Sequence, residues 1–438
     1  MAGTRNEKGL LSRIKEKNFT AAIVGLGYVG LPLAMEYADA GIPVIGIDID
    51  GSKVRALRAG KSYIGDVPSE AVKKAVDAGL FTPTTDYSAA GMADTVNICV
   101  PTPLRKTKDP DLSYIVSAME HLLEYLHKDM LIVLESTTYP GTTNEVLGPM
   151  VEGKGFKVGK DIFLAFSPER VDPGNPKFTT KNIPKVVGGV TPACTKMAVA
   201  LYSGVLENVH PVSTAAVAEM VKLLENTFRS VNIALVNEIA LMSNRMGIDV
   251  WEVIDAAGTK PFGFMPFYPG PGIGGHCIPL DPFYLSWKAK QFGFESRFIE
   301  LAGVVNGQMP HYTVEKVAEA LNRSRKAVNG AKVLVLGVAY KKDISDVRES
   351  PALDILQLLA KKGAHLSYCD PYVAEVREAG MTLAASPFSA ATLRKADCVV
   401  IVTNHAAFDY KMVAREAKVI VDTRNALKGH NSRKIIKL

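Results

Sequence analysis

Two α/β domains, each on a Rossmann-like parallel sheet and joined by a central helical region, are the fold this 438-residue sequence predicts. Three observations point to it. Short, continuous apolar runs alternate with helical patterns over residues 20–208, and continuous rather than alternating runs mark strands covered on both faces. A helix-periodic stretch without proline follows at 212–256. From Ala331 the strand–helix alternation returns. A chain of this length exceeds what one core usually serves. The expected boundaries are an N-terminal extension (1–18), a first α/β domain (19–209), a central helical domain (210–326) and a second α/β domain (327–438).

In the first domain TAAIVGLG, IPVIGIDID, DTVNICVPTP, MLIVLEST and IFLAFSPE are the strand runs, each closing at Gly, Pro, Asp or Ser. VGLPLAMEYADAG and SYIVSAMEHLLEYLHK supply helices between them. Residues 212–256 read as one long helix, or two with a break near Gly247, and another helix runs from Arg297 to about Arg325. The polar segment Asn322 to Gly330 is the expected linker. AKVLVLGVAY, AHLSYCDP, DCVVIVTNH and AKVIVDTRN are strands of the second, smaller sheet.

Composition narrows the function classes. No run of about 18 apolar residues is present, which argues against a membrane span. MAGTRNEKGLLSRIKEKN is charged and has no apolar signal core, so secretion is not expected. The five cysteines, at 99, 194, 277, 369 and 398, show neither CxxC nor CxH spacing. That suits reduced thiols in a cytoplasmic protein, with no disulfide framework and no metal site. The net charge of +6 comes without a Lys/Arg cluster interleaved with aromatics, so no nucleic-acid surface is expected; the excess suits anionic ligands.

GLGYVG (Gly25, Gly27, Gly30) lies between the strand AAIV and the helix LPLAMEYADA, and Asp48 ends the next strand 18 residues after Gly30. Glycines at these positions permit a tight turn and close approach of backbone to a pyrophosphate, which the helix N-terminus then receives. An acid at Asp48 hydrogen-bonds the adenosine ribose and repels a 2'-phosphate, so NAD is preferred over NADP. Tyr28 and Val29 of the turn and Thr102 after the strand DTVNICV join the candidate cofactor contacts. Lys53 stands either against adenine or ribose or in solvent. In ESTTYPGTT, Ser136 and Thr137 end a strand and could face the cofactor.

The remaining candidates carry two readings each. Lys222 and Asn226 stand at i, i+4 on one helical face; by spacing alone they read as a solvated polar stripe, although Met220, Leu223 and Leu224 flank them. Cys277 and Asp281 stand four apart in GGHCIPLD, a loop too rich in glycine and proline for a regular element. The thiol is either structural or presented to a ligand, which the glycines, Gly274 among them, let approach; a lysine nearby would favour the thiolate. His276 invites a Cys/His dyad, but neighbours in an extended loop point apart. SPERVDPGNP places Glu169 and Asp172 after a strand, where open α/β sheets bind ligands; the alternative is an exposed acidic turn.

Together GLGYVG, EST, SPE, KLLEN, GGHCIPLD and AYKKDISDVRESPA, in this order, resemble the UDP-glucose/GDP-mannose dehydrogenase family from about residue 19 to 430. FMPFYPGPGIGGHCIPLDPFYLSWKAKQFG and RFIELAGVVNGQMPHY look most like the branch that oxidises UDP-N-acetyl-glucosamine. The resemblance implies oxidation of C6 of a UDP-sugar to the carboxylate with NAD and no metal, through a thiohemiacetal and thioester on Cys277. It implies that Lys222 stabilises oxyanions, that Asn226 and Asp281 position water, and that Glu169 helps hydrolyse the thioester. Thr137 matches the family's active-site threonine. The second α/β domain would bind the nucleotide, with Lys341 toward the phosphate and Arg348 and Arg424 as further contacts. The central helices would pair two subunits into a homodimer or higher assembly. Two departures stand out. GTKPFGFMPF lacks the arginine that UDP-glucose members send to a neighbouring subunit's substrate, leaving Lys260 in its place, and Pro173, beside Asp172, stands where many of them have glutamate. UDP-glucose, UDP-N-acetyl-mannosamine, or binding without turnover are the alternatives; mere binding would not require a thiol.

Overall fold

The computed structural model describes residues 9–103, 110–171, 177–275, 277–378 and 380–438. The chain divides into two compact units, Met1–Glu225 with Trp287–Gly293, and Asn226–Ser286 with Phe294–Leu438.

The first unit holds strands β1 (Ala21–Val24), β2 (Val44–Ile47), β3 (Phe81–Thr84), β4 (Thr95–Ile98), β5 (Met130–Leu134), β6 (Ile162–Phe166), β7 (Lys185–Gly189) and β8 (Val209–Pro211). They form one sheet in the order 3-2-1-4-5-6-7-8. All neighbours run parallel except β6 and β7, which pair antiparallel. Every residue of β1, β2, β4, β5, β6 and β7 is buried, as expected for strands packed on both faces. A helix at Leu10–Lys15, inside the expected extension, buries Leu10 and Ile14 in one of the two cores and pairs Arg13 with Asp94. Strands β3, β7 and β8 were not predicted: FTPT, KVVGG and VHP are too short or too interrupted by Pro, Gly and Lys to read as apolar runs.

The second unit holds β9 (Lys332–Leu336), β10 (His365–Cys369), the antiparallel hairpin β11 (Glu375–Glu378) and β12 (Met381–Ala384), then β13 (Cys398–Ile401), β14 (Ile420–Asp422) and β15 (Ile435–Lys437). The main sheet is parallel throughout, in the order 10-9-13-14-15. The long helix Ala215–Met246 ends where Gly247 takes φ 71°, and Val250–Ala257 begins with the Asp249 side chain capping Trp251 N at 2.9 Å. The next long helix spans Arg297–Arg323. Within this unit the two long helices are tied by buried amides: Asn237 Nδ2 donates to Asn306 Oδ1 (2.9 Å), and Asn306 Nδ2 to Ser230 O (3.1 Å). Among the described residues no helix is long and apolar enough to cross a membrane, and no cluster of His, Cys, Asp and Glu could hold a metal ion.

Candidate active site

The strand order of the first sheet reverses between β1 and β4, and the crevice at such a switch point is where open α/β sheets take ligands. The turn after β1 is built for close approach. Gly25 takes φ 91°, and a Cβ there would stand 2.6 Å from Cys99 O. A Cβ on Gly30 would overlap Gly25 O, whereas one on Gly27 would meet nothing within 4 Å, so that side of the turn is open. The helix Gly30–Asp39 starts here and directs its N-terminus at the open side. Asp48 is buried and accepts from Leu26 N and Asp50 N, both at 2.9 Å, with Lys53 Nζ 3.4 Å from Oδ2. Tyr28 is exposed, while Val29 and Thr102 are half-buried. A glycine turn open to one side, a helix N-terminus and a fixed carboxylate at the second strand fit a dinucleotide.

Farther along the same sheet, Ser136 is buried and donates to Val100 O at 2.7 Å, and Thr137 beside it is half-buried. Glu169, after β6, accepts from Arg170 N (2.8 Å) and Val171 N (2.7 Å), and its other oxygen lies 3.4 Å from Lys185 Nζ. Burial pushes this carboxyl up, but Lys185, the Val171 amide, Lys222 and the Arg170 amide outweigh it and hold it below the ordinary glutamate range. Lys222 is buried on the helix Ala215–Met246 and donates from Nζ to Glu169 O at 2.7 Å. One turn before it, Glu219 accepts from Gly141 N (2.5 Å), Thr143 N (2.9 Å) and Thr143 Oγ1 (2.7 Å), fastening the loop that follows Thr137. The first unit thus brings Lys222 and Glu169 together. Asp172 and Pro173 lie outside the described residues.

In the second unit Asn226 is buried; its Nδ2 donates to Asp281, and its Oδ1 accepts from Arg229. Asp281 opens the helix Asp281–Gln291, where its carboxylate also suits the helix dipole. The Cys277 carbonyl accepts from Leu280 N (3.2 Å) and Asp281 N (2.8 Å), so the thiol-bearing residue is pinned one turn before that helix. Cys277 is exposed, whereas Cys99, Cys194, Cys369 and Cys398 are buried, and none is in a disulfide. His276 lies outside the described residues. Lys260 is exposed, its Nζ 4.9 Å from the Phe262 ring centroid.

The cysteine loop packs on the loop after β9. A Cβ on Gly274 would stand 2.6 Å from Glu349 O and 2.7 Å from Tyr340 Cβ, and Gly275 N donates to Arg348 O at 3.1 Å. Lys341, half-buried, sits in this loop at the switch point of the second sheet, between β9 and β13. The Arg348 guanidinium grips Asp346, Nη2 to Oδ2 at 2.6 Å. Arg424 donates from Nε to Val402 O at 2.9 Å and lies against Gly270; burial pushes it down to about 10, which leaves it a cation at neutral pH. Sequence reasoning missed His405 and Asp370. His405 is fully buried, accepts from Asp343 N at Nδ1 (2.9 Å) and meets Asp370 Oδ2 through Nε2 (3.0 Å). The signal was available: Asp370 ends the second strand of its sheet as Asp48 ends that of the first.

A dinucleotide-binding oxidoreductase, with a second α/β domain offering cations to another ligand, is the class this architecture defines. The family models agree with it. The UDP-glucose/GDP-mannose dehydrogenase NAD-binding, central and UDP-binding domains match residues 19–206, 216–308 and 334–429. The chain belongs to that family of NAD-dependent UDP-sugar 6-dehydrogenases. It is 36% identical to the UDP-N-acetyl-D-glucosamine 6-dehydrogenase of Pseudomonas aeruginosa, over 90% of this chain and 92% of that protein. It is 34% identical to the UDP-N-acetyl-D-mannosamine dehydrogenase of Pyrococcus horikoshii, over 93% and 96% of the two chains. The solved structure of the UDP-D-ManNAc dehydrogenase from Pyrococcus horikoshii superposes with a TM-score of 0.88, covering 95% of this chain and 98% of that one.

Proposed function

We propose that the chain oxidises C6 of a UDP-N-acetylhexosamine, UDP-N-acetyl-glucosamine before UDP-N-acetyl-mannosamine or UDP-glucose, from alcohol to carboxylate through Cys277. The observation that carries this reading is the setting of the one exposed cysteine. Its carbonyl is tied to Asp281 N, and the Asp281 carboxylate is in turn held by Asn226.

Overall, the alcohol, two NAD and one water become the carboxylate, two NADH and three protons. When bound at the Gly25–Gly30 turn, with Asp48 toward the ribose, NAD supplies the hydride acceptor for both oxidations. Cys277 Sγ adds to the aldehyde carbon to give a thiohemiacetal, and loss of hydride from that carbon leaves a thioester. Water then adds to the acyl carbon, the C–S bond breaks and the thiolate leaves. Lys222 stabilises the oxyanion at C6, a role typically worth roughly a hundred- to thousand-fold in rate. Asn226 and Asp281 place the water, Glu169 takes its proton, and Thr137 lines the reacting carbon. Lys341, Arg348 and Arg424 serve the nucleotide end. The outward face of helix Ala215–Met246 exposes Met220, Leu224, Phe228, Leu235 and Met242, which supports a homodimer through the central helices.

NADH production across a panel of UDP-sugars tests the reading. The expected result is two NADH per sugar, no free aldehyde and the highest kcat/KM with UDP-N-acetyl-glucosamine. Cys277→Ala stops uronic acid formation, and Cys277→Ser accumulates an acylated protein, because an ester hydrolyses more slowly than a thioester. Near-wild-type uronic acid from Cys277→Ala would overturn the mechanism.

A further inference from the structure

Behind Glu169 lies a buried polar row that the reaction above does not use. Glu135, just past β5, accepts from Asn97 Nδ2 (2.7 Å) and Tyr202 OH (2.6 Å) at one oxygen and from Lys185 Nζ (2.6 Å) at the other. Lys185 Nζ also reaches Glu169 Oε2 at 3.4 Å. Glu135 and Lys185 are 2% exposed each, too deep for solvent to screen the pair. Isolated charges are not left in such places, because desolvation is too costly.

The position of Lys185 comes from the one reversal in the sheet. In the register of β6 with β7, Ala165 faces Gly189 and Phe166 faces Gly188. Three further steps take Phe166 to Glu169 and Gly188 to Lys185. Had β7 run parallel, its first residue would lie at the far edge of the sheet from Glu169.

We infer that Lys185 is a positioning residue for Glu169, a buried cation anchored by Glu135 that keeps Glu169 a carboxylate, able to take the proton of the water that cleaves the Cys277 thioester. The inference rests on the hydrolytic role proposed above for Glu169. Among the described residues, the ionisable groups around that carboxylate are Lys185 from β7, Lys222 from the helix Ala215–Met246 and Cys99 after β4; Glu135 stands behind Lys185, and Arg170 is turned to Glu225. Burial holds the Cys99 thiol protonated. Lys185 stays charged: burial acts to lower it, but Glu135 and Glu169 raise it above the ordinary lysine range. Take Lys185 away and the largest opponent of burial at Glu169 is lost, so the carboxyl moves up.

The test is the pH profile of turnover, with the UDP-sugar that yields NADH in the panel, together with intact-protein mass. In Lys185→Met the acid limb of kcat moves up. Turnover at pH 6 falls relative to pH 9, by roughly ten-fold for each unit by which the moved limb lies above pH 6, and the nucleotide-sugar acyl mass builds up on the protein at pH 6 only. Lys185→Arg keeps the limb at its wild-type position. If Lys185→Met does not fold because Glu135 is left as a buried unpaired charge, Lys185→Met/Glu135→Gln removes that charge and shows the same moved limb. A profile that is lowered uniformly, or unmoved, in these variants overturns the inference and makes the row structural. Glu169→Gln separates the two claims: normal thioester hydrolysis there overturns the role of Glu169 itself. Loss of hydrolysis there, with an unmoved limb in Lys185→Met, overturns only the role of Lys185.

Discussion

The two sheets carry the same hinge at their switch points and use it differently. After the first strand of each, a glycine takes a left-handed φ, 91° at Gly25 and 79° at Gly337. In each, a Cβ would strike a backbone carbonyl past the adjacent strand, Cys99 O in one case and Thr403 O in the other. In each, an aspartate ending the second strand accepts amides of the glycine turn: Asp48 from Leu26 N (2.9 Å), Asp370 from Val338 N (2.7 Å) and Ala339 N (3.2 Å). Beyond the glycine the two segments diverge. Helix Gly30–Asp39 begins five residues after Gly25, so its N-terminus stands at the turn, whereas helix Pro351–Lys361 starts 14 residues after Gly337 and the loop between carries Lys341, Lys342 and Arg348. Asp370 is moreover enclosed by His405, while Asp48 has the half-exposed Lys53 beside it. One hinge therefore sets a helix N-terminus beside a carboxylate held by backbone amides. The other ties its carboxylate to the scaffold and carries cationic side chains in its loop.

The comparison breaks most visibly at the glycines. Gly25→Ala combines steric overlap, about 1–3 kcal/mol, with the cost of a left-handed conformation, about 1–2 kcal/mol. Calorimetry should show NAD affinity down by roughly a hundred-fold or more, with UDP affinity retained. Gly337→Ala should show the mirror image. Parallel loss of both ligands in either variant would mean that the hinges are not separate.

The aspartates come next. Asp48→Ser should narrow the NAD-over-NADP preference in kcat/KM, a lost hydrogen bond to a charged group being worth about 1.5–3 kcal/mol. Asp370→Ala should leave cofactor choice alone and lower thermal stability instead. Burial pushes the Asp370 carboxyl up, but His405 and the amides of Val338 and Tyr372 hold it below the ordinary range. Its folded value is thus depressed, so its contribution is full above about pH 4 and is lost as the pH falls further. Acid titration of the wild type and Asp370→Ala should converge below that point.

Smaller still, His405→Ala frees the Asp343 amide and slackens the Lys341 loop. KM for the UDP-sugar should rise several-fold with KM for NAD unmoved. Lys53→Met sharpens the other side of the comparison: a pair this exposed contributes about 0–1 kcal/mol, so NAD affinity should change by less than about five-fold, and less at high salt.

Much of this was legible in the residue order. The strands AAIV, VIGI, TVNI, MLIVL and IFLAF are continuous apolar runs because helices cover both faces, and the break at Gly247 is marked by the one glycine in its helical run before Gly258. The GLGYVG turn carries its own geometry in its glycines. The features that stayed hidden depend on direction and depth. KVVGG gives no sign that it runs against β6, so Lys185 could not be placed opposite Glu169. Glu135 and Tyr202, 67 positions apart, look like ordinary polar residues until the helix Pro192–Ser203 folds over the sheet. Glu219 reads as one more charge on a helix, and only its burial reveals it as the clasp of the 141–143 loop.

The distribution of thiols makes the chain its own gauge of intactness. Only Cys277 is exposed, and burial pushes Cys99 well above the usual thiol range, Cys369 to about 11 and Cys398 to about 12. Because the thiolate is the reacting species, an alkylating dye at neutral pH should load one equivalent per native chain and five once guanidinium has opened both units. The ratio of the two readings gives the folded fraction of any preparation or variant without an activity assay. A dye seated at Cys277 also reports from the loop that packs on the Lys341 segment, where ligand binding would register as a change in its emission.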